Sequence, residues 1–344
     1  MLSVVGARAS SASQPALYEG VRTTTLSANS QAIAISENSD FAYVGSGTDL
    51  VIVNLNTGQT VKSIPLHQSP RGLVLSRNGA QLYIVADLGH GGVSDSGSVF
   101  RVDLATSSVD ARVNFPFSLT AAIATSTNRV YIANGASVIG INSATFKVAE
   151  KIPVPEGPNY LATAVKGSTL YGETDISSGA GIQNGTYLYA INTVSGRVTT
   201  TVKGHFAPSS LAVVAGDKLV VSYDGSGEAT PNPSLQVLNS VGKVTAVFEG
   251  TEGAGGAAIP AKGDVAYVDV TTNQIAVVDL RTLKQIGSIE LGNGGDVGLG
   301  PGPIAISANG RKICLIDDSG NSQKETMQIV SVNPAEVPTL QAGP

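Results

Sequence analysis

The chain has 344 residues, of which 14% are charged and 42% are hydrophobic, and its net charge is −5. This mixture excludes an intrinsically disordered chain, and the acidic balance gives no global basic field that would hold a nucleic-acid backbone. No apolar stretch approaches the roughly 20 residues of a membrane span, so composition predicts a globular protein with no nucleic-acid partner and no membrane span.

The opening of the chain, residues 1–18, predicts a flexible leader. The stretch from Ala7 to Ala16 is rich in Ser and Ala, which suits such a leader or the remnant of a trimmed export signal. The preceding Met1–Gly6 is short and lacks the basic start of a signal peptide. Scarce lysine and abundant Ser, Thr and Gly favour an extracytoplasmic or secreted protein.

A motif built on tyrosine followed by an aliphatic residue recurs seven times within residues 19–333. The fifth and seventh copies have lost the tyrosine, and the fourth has Gly172 in the aliphatic place. The copies begin at Tyr43, Tyr83, Tyr131, Tyr171, Val221, Tyr267 and Cys314. Successive gaps are 40, 48, 40, 50, 46 and 47 residues. This period matches the roughly 40–50 residues of one four-stranded propeller blade.

A second ladder runs with the same period and places Asn or Asp after an apolar residue. Its members are Asn54, Asp103, Asn142, Asn192, Asn239 and Asp279, with Ser331 in the seventh place. Two ladders that share one period predict an all-β fold, a single seven-bladed β-propeller.

Blade 1 shows the predicted strands in order. Its first three strands, Ala32–Ser36, Phe41–Val44 and Leu50–Val53, are apolar on both faces, as expected for sheets sandwiched between neighbouring sheets. The fourth, Thr60–Ile64, alternates polar and apolar residues, which is typical of an outer strand wetted on one side. The Asn or Asp before the third-to-fourth turn is expected to bond the local backbone.

The last blade lacks a fourth strand of its own. Its three predicted strands are Ile304–Ser307, Lys312–Ile316 and Thr326–Val332. The C-terminal tail, residues 334–344, is a weak substitute because Pro334 and Pro338 interrupt it. The N-terminal segment Gly20–Leu26 instead matches the fourth strand of blade 4, Gly196–Val202. We therefore expect an N-terminal strand to complete blade 7 and close the ring, which removes two exposed edges.

The segments Pro70–Ile84 and Pro303–Ile313 resemble the YVTN-type β-propeller repeat. The four-residue signature is degenerate in this chain, as in Tyr131-Ile132-Ala133-Asn134. The resemblance covers residues 19–333. It implies kinship with surface-layer and other exported propellers, and similarity to lactonase-type propellers. The family has no single shared catalytic motif, so the resemblance transfers the fold and not a mechanism.

In such a ring, the loops between second and third strands share one face with the links between blades. The long insertions of this chain fall on that face, among them Glu173–Thr186 of blade 4. Loops carried by a rigid scaffold usually hold function. All three histidines are placed there, and they are candidate general bases: His67, His90 and His205. Candidate binding residues on the same face are Arg71, Asp95, Asp175 and Asp318.

Carboxylates also gather on this face. The candidate metal ligands are Glu173, Asp224, Asp269 and Asp317. Oxygen ligands suit Ca²⁺ or Mg²⁺, and a histidine beside such a metal could activate a water or an ester. Two plainer interpretations stay open: the acids as turn formers or solvated loop residues, and the equivalent places of His67 and His205 as relics of duplication.

Two classes of function compete. The first is a non-enzymatic module whose loop-rich face binds a protein, glycan or small ligand, and the missing catalytic signature favours it. The second is a metal-assisted hydrolase or lactonase at the mouth of the channel, with a lyase or cyclase in the same funnel as a further variant. The single Cys314 lies in an apolar run and is expected to be a buried, inert thiol.

Overall fold

A computed structural model describes fourteen stretches of the chain. They are residues 18–27, 29–88, 96–117, 119–164, 168–174, 187–203, 208–214, 216–223, 235–248, 254–260, 264–270, 274–291, 303–317 and 324–333. For Ala254, Gly255, Asp317 and Lys324 the backbone alone is described. The described residues form seven four-stranded antiparallel sheets, and none of these residues lies in a helix that could cross a membrane.

Each sheet is one blade, and its strands follow in chain order. Blade 1 consists of β2 (Ser30–Ile35), β3 (Phe41–Ser46), β4 (Asp49–Asn54) and β5 (Gln59–Pro65). Blade 2 consists of β6 (Ser69–Leu75), β7 (Gln81–Asp87), β8 (Gly97–Asp103) and β9 (Ser108–Phe115). Blade 3 consists of β10 (Ile123–Thr125), β11 (Arg129–Ala133), β12 (Ser137–Asn142) and β13 (Val148–Pro153). Blade 4 consists of β14 (Tyr160–Thr163), β15 (Thr169–Thr174), β16 (Tyr187–Asn192) and β17 (Arg197–Lys203).

The remaining blades follow the same order until the last. Blade 5 consists of β18 (Pro208–Val214), β19 (Lys218–Tyr223), β20 (Leu235–Leu238) and β21 (Val244–Phe248). Blade 6 consists of β22 (Ala254–Ala258), β23 (Val265–Val270), β24 (Gln274–Asp279) and β25 (Lys284–Glu290). Blade 7 consists of β26 (Ile304–Ile306), β27 (Lys312–Asp317), β28 (Lys324–Val332) and the N-terminal β1 (Tyr18–Ser27).

The first strands of the blades form the inner ring. Each first strand contacts the first strands of both neighbouring blades, and β26 of blade 7 returns to β2 of blade 1. The fourth strands are largely exposed because they lie at the outer rim, and in β17 exposed and partly buried residues alternate. The prediction of an all-β, seven-bladed propeller is therefore confirmed.

The N-terminal strand closes the ring as predicted. Strand β1 pairs antiparallel with β28, with Val21 opposite Val330 and Thr24 opposite Met327. Leu26 packs into the apolar cluster between blades 7 and 1, and Val21 packs into the cluster between blades 6 and 7. A single strand thus contributes apolar contacts to both interfaces of the last blade.

A buried carboxylate fastens the same junction. Both oxygens of Glu325, in β28, accept backbone N–H groups: that of Asn29 at 2.7 Å and that of Ser30 at 2.6 Å. Asn29 has a left-handed φ of 61°, so the chain turns sharply there between β1 and β2. Glu325 therefore holds the turn that leads from the closing strand into the first blade.

The recurring tyrosines pack between blades and reach the next one. The ring of Tyr83 stacks on Phe146 of blade 3 with centroids 6.1 Å apart. The hydroxyl of Tyr171 donates to the carbonyl oxygen of Ser240 in blade 5 at 3.3 Å. Burial raises the pKa of Tyr267 to about 12, so its hydroxyl stays protonated at neutral pH. The recurring tyrosines thus join consecutive blades.

The fifth copy of this ladder lies one residue earlier than predicted. In the other six blades, the residue in the tyrosine place pairs with the residue two before the Asn, Asp or Ser of the second ladder. In blade 5 that residue is Val237, and its partner is Val220. Val221 faces blade 4 instead. The error arose because two adjacent valines fit the pattern equally and only the pairing separates them.

The second ladder performs the turn chemistry that the sequence indicates. Oδ1 of Asn54 accepts the backbone N–H groups of Asn56 and Thr57 at 2.9 and 3.0 Å. Hydrogen bonds from Thr106 hold the pKa of the Asp103 carboxyl below its usual range. Burial alone raises the pKa of Asp279, but the N–H and the charge of Arg281 outweigh it and lower the pKa overall. These carboxylates stay ionised acceptors in the turns.

The structure also explains two residues that depart from the tyrosine motif, Gly172 and Cys314. Gly172 stands in the aliphatic place of blade 4 because a Cβ there would lie 2.5 Å from the ring of Tyr189. The tyrosine ring fills the space that an aliphatic side chain takes elsewhere. Cys314 is fully buried, and burial raises the pKa of its thiol, so it is the inert core residue that the sequence predicts.

Candidate functional site

One end of the ring gathers the polar residues of the inner strands. The first strands begin and the second strands finish at this end, which we call the mouth. In four blades a β-bulge inserts one extra residue near the start of the first strand. These extra residues are Gln31, Arg71, Ser209 and Gly255. Asn159 has the same place in blade 4, because it donates its N–H to the carbonyl oxygen of Glu173 while Tyr160 pairs with Glu173.

Arg71 is held in place at the mouth by two neighbours. Its Nε donates to both carboxylate oxygens of Asp87, at 3.1 and 3.2 Å. Its Nη1 donates to Oε1 of Gln31 in blade 1. The Arg71 side chain is 31% exposed, whereas that of Asp87 is 10% exposed. A partly exposed guanidinium with a fixed orientation is a ready partner for an anionic group.

The backbone beside Arg71 approaches blade 3 closely. A Cβ on Gly72 would collide with the carbonyl oxygen of Ala121. Ala121 precedes the first strand of blade 3, in the position that corresponds to Arg71. Glycine therefore lets the bulge of blade 2 and the entry of blade 3 come together at the mouth.

A second polar group lies in blades 4 to 6, two residues after the tyrosine place of the second strand. The seven residues in this position, in blade order, are Gly45, Val85, Ala133, Glu173, Ser222, Asp269 and Ile316. The three polar members are only 1%, 0% and 7% exposed. Glu173, Ser222 and Asp269 therefore place buried polar groups in three consecutive blades, a set we call the polar sector.

A hydroxyl network surrounds the middle member of the polar sector. Oγ of Ser222 lies 2.8 Å from Oγ of Ser209 and 2.6 Å from Oγ of Ser210. Oγ of Ser210 also accepts the N–H of Ala257 in blade 6 at 3.2 Å. This network links the first strands of blades 5 and 6 and brings a bulge residue of the mouth into contact with the polar sector.

Deeper in the channel the first strands are apolar. Their aliphatic side chains are half-buried, among them Ile33, Leu73, Val74, Leu211, Val213 and Ile304. These side chains pack at the margins of the apolar clusters between blades. A few placed polar groups beside partly exposed apolar side chains are suited to small organic ligands.

The structure places four of the predicted site residues at the mouth. Arg71 lies in its bulge, and Glu173 and Asp269 belong to the polar sector. Glu173 was predicted to begin a loop, but β15 continues through Thr174 and buries it. His67 lies between β5 and β6 with a left-handed φ of 58°, and it is exposed.

The other predicted site residues are Asp317, of which the backbone alone is described, and six residues outside the described stretches. The backbone of Asp317 ends β27 at the mouth. Six lie outside the described residues: His90, Asp95, Asp175, His205, Asp224 and Asp318. Among the described residues, no three His, Cys, Asp or Glu side chains come together as a metal site. The predicted Ca²⁺ or Mg²⁺ site and the histidine bases stay predictions.

Sequence reasoning missed Gln31, Ser209, Ser210 and Ser222. Serine and glutamine are common on any surface, so composition gives no signal. The signal is positional, because the bulges and the polar sector emerge only when the seven repeats are aligned by strand register.

No family model matches the chain, and no curated protein matches its sequence. Among solved structures it resembles a chain of hydrazine synthase from Kuenenia stuttgartiensis, with 15% sequence identity and a TM-score of 0.70. The likeness covers 89% of this chain and 96% of that chain. At this identity it shows a shared propeller fold and nothing about function.

Proposed function

We propose that this protein is a binding propeller of the YVTN type that acts outside the cytoplasm and holds a small anionic ligand at the mouth of its channel. The observation that supports this proposal most directly is that Arg71 is partly exposed at the mouth and is oriented by Asp87 and Gln31. Proteins and glycans are the other partner classes that such a face can bind.

Arg71 suits recognition better than a purely structural role. An ion pair that served stability alone gains little when its arginine is partly exposed. A guanidinium that two partners already fix loses less conformational entropy when it binds a carboxylate. The free energy of binding is therefore more favourable than for a mobile arginine. The ligand would thus present a carboxylate or a similar anion to blade 2.

The polar sector supplies the complementary contacts. Ser209 and Ser210 are partly exposed hydroxyls on the inner strands, and hydroxyls both donate and accept hydrogen bonds. They suit hydroxyl or amide groups on the part of the ligand that lies opposite Arg71. Aliphatic side chains below the mouth would then cover its apolar portion.

Replacing Arg71 is expected to weaken binding of a dicarboxylate. We expect succinate to bind saturably and Arg71→Gln to weaken it roughly tenfold, because a charge-assisted hydrogen bond is lost. Isothermal titration calorimetry with succinate, and with neutral succinamide as the matched probe, measures the effect.

Two further variants separate recognition from structure. Arg71→Gln leaves the carboxylate of Asp87 without its arginine partner, and adding Asp87→Asn removes that unpaired charge. The double variant is expected to bind succinate as weakly as Arg71→Gln alone. Arg197→Gln changes an exposed arginine on the outer strand β17 and is expected to leave affinity unchanged. Equal succinate affinity in all variants, or equal affinity for succinamide, would contradict the proposal.

A metal-assisted hydrolase or lactonase is the second candidate. The observation that favours it is the burial of Glu173 and Asp269 at equivalent positions, two blades apart. Buried carboxylates are common where a cation compensates their charge. Protein purified without chelator would then retain Ca²⁺ or Mg²⁺, lose it in Glu173→Gln, and turn over lactones or esters. Metal-free protein without turnover would remove this candidate.

A further inference from the structure

A cavity of about 550 Å³ opens between blades 2 and 3 at the end of the ring opposite the mouth. Its walls are the first-to-second turns of both blades, the third-to-fourth turn of blade 3, and the side chains of Tyr83 and Arg101. The turns at this end are separate from the bulges and from the polar sector, so the cavity is independent of the site proposed above.

Two arginines, Arg77 and Arg101, line the cavity in a protein with net charge −5. None of the lining residues that the structure describes is acidic. Arg101 pairs with Asp110 at 2.9 Å and donates from Nη1 to the carbonyl oxygen of Ser143 at 2.7 Å. Its guanidinium also lies 5.2 Å from the ring centroid of Phe146. Arg101 is therefore fixed in orientation, and because Asp110 compensates its charge, Arg77 is the arginine of the wall to which an anion would bind.

Arg77 forms the wall on the channel side. Its Nη2 donates to the carbonyl oxygen of Ala164 at 2.8 Å, so the side chain reaches from blade 2 past blade 3 to blade 4. Two threonine hydroxyls link the first strands of the same three blades: Thr125 donates to the carbonyl oxygen of Leu75 at 3.0 Å, and Thr163 donates to that of Thr125 at 2.6 Å. The hydrogen bond to Ala164 orients the guanidinium before any ligand arrives.

The propeller repeat does not require these two arginines. At the place of Arg101, which pairs with the tyrosine of the second strand, the other blades carry Ile52, Gly140, Ala190, Val237, Val277 and Ile329. At the place of Arg77, between a turn serine and asparagine, blade 1 carries Glu37 and blade 7 carries Ala308. Blade 2 alone combines both arginines, which indicates a local purpose.

The neutral side chains of the cavity offer donors. Oδ1 of Asn78 already accepts the hydroxyl of Ser76 at 2.7 Å and the N–H of Ala80 at 3.2 Å. Oε1 of Gln81 accepts the hydroxyl of Tyr83 at 2.8 Å. Because the amide oxygens are engaged, the amide N–H groups and the exposed hydroxyl of Thr127 are what a ligand would meet.

We infer that this cavity binds a small oxyanion, the phosphate or carboxylate group of an organic molecule, with Arg77 as its principal contact. Oxyanions accept several hydrogen bonds at once, and a guanidinium with surrounding hydroxyl and amide donors matches that demand. The volume admits an anionic group together with a small organic body.

Titrations with inorganic phosphate and with citrate test the inference and distinguish the two anion sources. We expect at least one probe to bind saturably with a Kd below about 5 mM. Arg77→Gln is expected to weaken that binding roughly tenfold, and Thr127→Val, which removes one exposed hydroxyl, several-fold. Circular dichroism and the unfolding midpoint report whether each variant keeps its fold.

An exposed arginine outside both sites supplies the control. All titrations use an Arg71→Gln background, which removes the proposed anion contact at the mouth, and Arg197→Gln on the outer strand β17 is expected to leave phosphate and citrate binding unchanged. A failure of the proposed function therefore does not affect this test. No saturable binding of either probe would overturn the inference. Binding that is equally strong in folded Arg77→Gln and Thr127→Val proteins would overturn it as well.

Discussion

Removal of residues 1–27, which include β1, is expected to destabilise the whole propeller. The deletion uncovers the edge of β28 and removes Leu26 and Val21 from the interfaces on both sides of blade 7. Burying two aliphatic side chains and pairing one strand is worth on the order of 5 kcal/mol. That loss is comparable to the roughly 5–15 kcal/mol that stabilises a typical folded protein.

Urea unfolding and size-exclusion chromatography measure this effect. We expect the shortened chain to unfold at much lower urea or to aggregate through the open edge of β28. A synthetic peptide with the sequence of Tyr18–Ser27 is expected to restore stability in trans, because it offers the missing strand. A shortened chain with full stability would show that β1 contributes little to closure.

Substitution of Glu325 by alanine is expected to cost about 2–4 kcal/mol, the second-largest effect. The buried carboxylate accepts the N–H groups of Asn29 and Ser30, and alanine leaves both without this acceptor. Glu325→Gln keeps one acceptor oxygen but turns an amide N–H group toward the other donor, so we expect an intermediate loss.

The matched control is Glu19→Ala, which alters an exposed carboxylate in the closing strand of the same sheet. Exposed substitutions of this kind change the free energy of unfolding by less than about 0.5 kcal/mol. Urea unfolding of the four proteins gives the comparison. If Glu325→Ala and Glu19→Ala were equally stable, the carboxylate would not fasten the turn between β1 and β2.

The architecture was predictable because a repeat reports the same structure seven times. The Asn and Asp ladder revealed the third-to-fourth turns, and the likeness of Gly20–Leu26 to Gly196–Val202 revealed the closing strand. Each signal is local in sequence and depends on backbone chemistry that any blade shares. Errors of one residue arose only where neighbours look alike, as at Val220 and Val221.

The sites were less predictable because they depend on departures from the repeat. Arg71 lies in a stretch that resembles an ordinary repeat, and only the bulge and the contacts to Asp87 and Gln31 give it a distinct place. Arg77 and Arg101 are 24 positions apart in the chain and share a cavity only through strand pairing and turn packing. Residues that meet in this way do not recur at a fixed spacing in the sequence, so the repeat pattern does not reveal them.

The same reasoning explains why the sequence did not predict the burial of Glu173 and Asp269. The sequence placed Glu173 at the start of an insertion, because glycine and polar residues follow it, but β15 extends through it. Burial of Glu173 and Asp269 results from the packing of neighbouring blades, which a local pattern does not report. The sequence indicated the end of the ring at which Glu173 and Asp269 lie.

The most direct test of the central claim is a cross-link between β1 and β28. Thr25 lies opposite Thr326, a separation within the roughly 4.4–6.8 Å that a disulfide spans between Cα atoms. In a Cys314→Ser background, Thr25→Cys with Thr326→Cys is expected to form an intramolecular disulfide, detected by mass spectrometry. Thr23→Cys with Thr326→Cys, two residues out of register, is expected to stay reduced. Cross-linking of the offset pair but not the matched pair would contradict the closure of the ring by its N-terminal strand.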